Sequence, residues 1–68
     1  MKQIDLHGIK HLQVEQVLNE EFAGFDFPLV VITGRSPRMK EIVEQIASNF
    51  KLNAKEMIGN QGRLIIYE

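Results

Sequence analysis

Leu29-Val30-Val31-Ile32-Thr33 is apolar at four successive positions and rich in β-branched side chains. Alternate side chains of a strand face opposite sides, so a run like this suits a central strand, paired on both edges, better than an edge strand. That demand is severe in a chain of 68 residues. A domain of this size buries only about 60% of its unfolded surface, so few elements are left to supply the cover.

The segment that follows supplies part of it. Gly34 ends the strand, Ser36 is a good helix N-cap and Pro37 suits the first helical position. Met39, Ile42, Val43, Ile46, Ala47 and Phe50 then recur at helical spacing, predicting an amphipathic helix over residues 37 to 50. Upstream, Val14, Val17, Leu18 and Phe22 predict a first helix over residues 11 to 23, poorly capped by Lys10 and ended by Gly24. Phe25 to Pro28 then form a link to the central strand. A short strand over residues 3 to 6 precedes that helix. Residues 54 to 58 and 63 to 67 predict two further strands joined by the turn Gly59-Asn60-Gln61-Gly62. Met39 and Met57 are read as core.

The order is β-α-β-α-β-β in a single α/β domain spanning residues 1–68. Strands alternating with helices pair in parallel, and the last hairpin adds an antiparallel strand. Placing the two most apolar strands inside gives a four-stranded mixed sheet of order 1-2-4-3. Both helices then cover one face, in a two-layer sandwich. There is no cysteine to reinforce it by disulfide or thiolate metal site. Apolar residues make up 44% and charged residues 25%, the balance of a water-soluble domain. With no membrane-length apolar run and no signal peptide, a cytoplasmic location and no membrane partner are expected.

This topology brings the ends of the first three strands to one edge, where open α/β sheets bind ligands. Asp5 and His7 stand at the end of the first strand, next to Gly8. Arg35 and Arg38 flank the start of the second helix, and Arg63 begins the last strand. His11, at the start of the first helix, neighbours this edge and is more simply a solvent-facing helix residue. Clustered arginines, an imidazole and a helix N-terminus suit a phosphodiester. The net charge of −1 argues for neither nucleic acid nor any other partner. Each residue also has a plainer reading: Asp5 as an Asx cap of the Gly8 turn, Ser36 as a helix cap, the arginines as solvated charges.

Asp5-Leu6-His7-Gly8 before a helix, Val31-Ile32-Thr33-Gly34-Arg35 before a second helix, and a terminal Gly-x-x-Gly hairpin together resemble the Smr (small MutS-related) domain. The resemblance covers nearly the whole chain, at the short limit for that family. It implies a fold like the C-terminal domain of bacterial translation initiation factor three, nucleic-acid binding and, in many members, endonuclease activity on DNA or RNA. It also implies that Asp5 and His7 are the catalytic pair and that Thr33, Gly34 and Arg35 form the nucleic-acid-binding loop. The chain departs from the family where Ser36-Pro37 replaces a second glycine and where Arg38 stands near a frequent histidine. Backbone approach to a phosphate is less free as a result.

Were the chain to cleave, Asp5 would orient His7 as general base or acid, with Arg35 and Arg63 stabilising charge on the phosphoryl oxygens. With a single carboxylate at the site, no cofactor is indicated, and a divalent metal is not called for by the sequence. A 2′-hydroxyl nucleophile favours RNA over DNA. Three readings stand: an Smr-like endonuclease with nucleic acid as partner, a non-catalytic nucleic-acid-binding module, and a protein-interaction or homodimerisation module using the open sheet face.

Overall fold

The computed structural model describes residues 1–24 and 26–68; Phe25, part of the expected link after the first helix, lies outside the described residues. The elements follow the expected order: β1 (Lys2–Asp5), α1 (His11–Phe22), β2 (Leu29–Ile32), α2 (Pro37–Asn49), β3 (Asn53–Met57) and β4 (Asn60–Tyr67). They form one mixed sheet of order β1-β2-β4-β3. β1 is parallel to β2, and β4 is antiparallel to both β2 and β3.

Register explains which side the helices take. Ile4, Val31 and Leu64 share one row across the sheet, and Leu29, Ile66 and Ala54 share another. These residues pack against Val14, Leu18 and Phe22 of α1 and Met39, Val43, Ile46 and Ala47 of α2, so both helices cover one face. Fully burying a side chain of this kind contributes about 1.5–3 kcal/mol, and the two inner strands supply most of the sheet's share. Ion pairs tie the helices to the sheet edges. Lys2 Nζ lies 2.6 Å from Glu21 Oε2, and Lys40 Nζ lies 3.0 Å from Glu56 Oε1. The hydrogen bond from Lys2 to Glu21, reinforced by that residue's charge, holds the Lys2 ammonium above its ordinary pKa. No helix among the described residues is long and apolar enough to cross a membrane.

Ser36 caps α2 as expected: its Oγ accepts from the Met39 N–H at 3.1 Å, with Pro37 at the first position. Lys10 makes no side-chain cap at α1. α1 ends as expected just before Gly24, closing through Ala23 in right-handed conformation (φ −66°, ψ −18°), whose N–H donates to Asn19 O. Two local expectations, the last turn and Met57, are corrected. The last hairpin reverses at Ile58-Gly59, and β4 resumes at Asn60 with a register shift between Glu56 and Met57. Gln61, Gly62 and Arg63 are the extra residues there, so Asn60 to Gly62 belong to a bulged strand start. Met57 is half-buried and stays outside the core.

The end of α2 carries a signal the apolar spacing does not show. Lys51 takes φ +60°, its N–H donates to Ser48 O at 2.9 Å, and the Leu52 N–H donates to Ala47 O at 2.8 Å. This is the paired closure that glycine usually makes. A side chain in that region strains the backbone. Lys51→Gly is therefore expected to stabilise the fold by about 0.5–1 kcal/mol, a rise of several degrees in Tm by calorimetry. An unchanged or lower Tm would count against the strain.

Candidate functional site

Three reversals that are distant in sequence meet at the carboxyl edge of β1 and β2. The first follows β1. Leu6 continues the pairing by donating its N–H to Ile32 O at 2.8 Å, and the Ile9 N–H returns to Leu6 O at 3.0 Å. Between them the chain turns through Gly8, at φ +85°. Asp5 Oδ1 accepts the His7 backbone N–H at 2.9 Å.

The second reversal follows β2, and the third is the bulged start of β4. Gly62 O accepts both the Thr33 N–H, at 2.9 Å, and the Gly34 N–H, at 3.1 Å. The Thr33 hydroxyl donates to Gly34 O at 2.8 Å and approaches Gly62 O at 3.3 Å. Asn60 Oδ1 takes the Gly62 N–H at 3.2 Å, fixing the bulge from its other side. Gly34 sits at φ +66°, a conformation that favours glycine, and a Cβ there would lie 3.5 Å from His7 Cδ2. The His7 ring thus rests against the Gly34 turn. A Cβ on Gly62 would lie 3.5 Å from Gly34 Cα, so the second and third reversals are in van der Waals contact.

His7, Gly34 and Arg35 therefore share one rim. Arg35 is exposed and borders a shallow concavity whose other walls are Gly59, Asn60, Gln61 and Gly62. Among the described residues, neither the Arg35 guanidinium nor the His7 ring has a hydrogen-bond or ion-pair partner. The guanidinium offers a planar fork of donors suited to a phosphate, and the imidazole against the Gly34 turn can donate or accept.

The other expected residues are placed differently. Thr33 is 3% exposed, and its hydroxyl hydrogen is directed at main-chain carbonyls; it holds the loop and does not face a ligand. Arg38 lies 3.4 Å from Glu41 in a furrow between α1 and α2 that His11, Leu12, Glu15 and Ile42 also line. Arg63 is opposite Ile32, which is opposite Asp5, so both charges lie on the sheet face without helices. The Asp5 carboxylate bonds the His7 main chain, where the catalytic reading needs it on the ring. The Asx-type cap is thus the role the geometry gives it. No three His, Asp or Glu side chains among the described residues gather closely enough to hold a metal ion.

Asn60 and Gln61 are additions to the site. Their polarity was visible in the sequence, but only the early restart of β4 turns them toward Arg35. No family model matches the chain, and no curated protein or solved structure matches it either.

Proposed function

We propose that the chain binds the phosphodiester backbone of nucleic acid, RNA in preference to DNA, at the rim formed by His7, Gly34 and Arg35. The observation that carries this reading is the clamp on Gly62 O, which joins the second and third reversals while Gly34 supports the His7 ring. It leaves the Arg35 guanidinium and the His7 imidazole, neither with a partner among the described residues, on one exposed rim. Arginine recognises phosphate through paired donors. A neighbouring imidazole can hydrogen-bond a ribose 2′-hydroxyl, the group that separates RNA from DNA. The resemblance to Smr domains points the same way.

Cleavage is the second reading, favoured by a His7 ring free of intramolecular hydrogen bonds among the described residues. His7 would take the proton of a 2′-hydroxyl as that oxygen attacks phosphorus. The bond to the 5′-oxygen would break and the proton would return to it, with Arg35 steadying the phosphoryl oxygens. Binding ranks ahead of cleavage because Asp5 is engaged by the main chain and no second imidazole shares the rim.

Fluorescence anisotropy with labelled single-stranded RNA and DNA of one sequence tests the binding. With Arg35 as the one arginine or lysine of the rim, log affinity for a single strand should fall with log salt at a slope of about −0.7. Affinity independent of salt between about 50 and 200 mM would remove the phosphate contacts from consideration. Gel analysis of the same RNA tests cleavage. Loss of 2′,3′-cyclic phosphate product in His7→Ala supports it, whereas equal product from both proteins leaves binding alone.

A further inference from the structure

The uncovered face of the sheet has an apolar centre with charges of opposite sign on its two sides. Asp5, Ile32 and Arg63 form one row across β1, β2 and β4. Gln3, Val30, Ile65 and Lys55 form the next, with Tyr67 beyond. Val30 is only 3% exposed, yet it does not belong to the core cluster under the helices. Ile32, Ile65 and Tyr67 are half-buried around it. Asp5 and Arg63 form no ion pair with each other or with any other described residue. They are two strand spacings apart, about 10 Å, with Ile32 between them.

We propose that a second copy of this chain covers the face, in a two-fold pair whose axis runs along the strands. Such a rotation exchanges left and right across the sheet and keeps the row. β2 then lies over the partner's β4, and Val30 faces the partner's Ile65. β1 lies over the partner's β3, so each Asp5 stands beside the partner's Arg63. Packed sheets are about 10 Å apart, a gap that an arginine and an aspartate span between them. Two ion pairs thus bracket one apolar stripe. A charge pattern with its acid on one flank and its base on the other complements itself under this rotation. It complements a nucleic-acid strand poorly, because Asp5 repels phosphate.

The face is small. Four strands by five residues give a flat footprint of about 300 Å² per copy, well under the about 800 Å² per partner of a standard stable interface. The pair therefore forms and separates with concentration. The same rotation leaves both carboxyl edges at one end, so the two rims lie side by side. Phosphate binding by a single rim does not depend on this pairing.

Sedimentation velocity on the full chain, from about 1 to 500 µM, tests the pairing over the range expected for so small an interface. The weight-average mass is expected to climb toward twice the monomer. Asp5→Arg alone and Arg63→Asp alone should each hold the chain monomeric, the first by opposing two arginines and the second two aspartates. Mixing the two variants should restore association, because every cross-pair is then of opposite sign. Because Asp5 also caps the His7 turn, Ile65→Glu serves as a variant away from it and should abolish association with an unchanged circular dichroism spectrum. A monomer throughout the range, or association untouched by Ile65→Glu, would overturn the proposal, as would failure of the mixture of folded variants to associate.

Discussion

Arg35→Glu is expected to weaken RNA binding by about thirtyfold at low salt without altering thermal stability. The side chain is exposed and has no intramolecular partner among the described residues, so its loss removes nothing from the fold. A hydrogen bond to a charged group contributes about 1.5–3 kcal/mol, and about 2 kcal/mol corresponds to thirtyfold. Charge reversal adds repulsion that salt screens, so the deficit should narrow as ionic strength rises. The steepness of the salt dependence should also drop, by about 0.7 in log–log slope for one lost contact to a single strand. Arg38→Glu is the informative comparison. It carries the same charge change three residues away, but Arg38 stands in the furrow between the helices beside Glu41. If the rim is the binding surface, Arg38→Glu costs less than about threefold. Equal losses in both variants would mean a diffuse basic surface and would remove the special place of Arg35.

The sheet order was legible because hydrophobicity is distributed so unevenly among the strands. Leu29 to Ile32 and Leu64 to Tyr67 can be covered on both sides only from within the sheet, and β1 and β3 carry the charges that edges tolerate. Ser36-Pro37 marked the start of α2 for equally local reasons. What stayed hidden depends on main-chain carbonyls, whose partners leave no mark on residue type. Gly62 O organises the rim, yet the sequence shows only a glycine in a hairpin. The Asp5 carboxylate had two candidate partners on a single residue, the His7 ring and the His7 main-chain N–H, and residue type alone does not choose between them. Lys51 closes α2 in a conformation that residue type alone assigns to glycine. The site was therefore readable as a meeting of turns but not as a set of roles.

Phe22→Ala is expected to cost the fold about 3–5 kcal/mol, a large share of its stability, and to lower the urea midpoint sharply for core and rim together. Phe22 is 1% exposed at the last turn of α1, where the helix meets the far end of the sheet. Its ring lies edge-on to Phe50 at 5.5 Å between centroids and tilted against Phe27 at 5.8 Å. Truncating a buried phenylalanine costs about 3–5 kcal/mol through lost transfer energy and the cavity left behind. The whole stability of a domain this size is of the order of 3–10 kcal/mol, so one side chain carries much of it. No disulfide is present to hold an open chain together. The effect reaches the rim because a domain this small unfolds as one unit, although Phe22 and Gly34 lie toward opposite ends of the sheet. Phe22→Leu retains most of the apolar volume and should cost roughly half as much or less. Urea titration followed by circular dichroism distinguishes the outcomes. A Phe22→Ala protein that melts with the wild-type midpoint would mean that the helix-covered core does not hold the sheet. In that case the shared rim of His7 and Arg35 would lose its support.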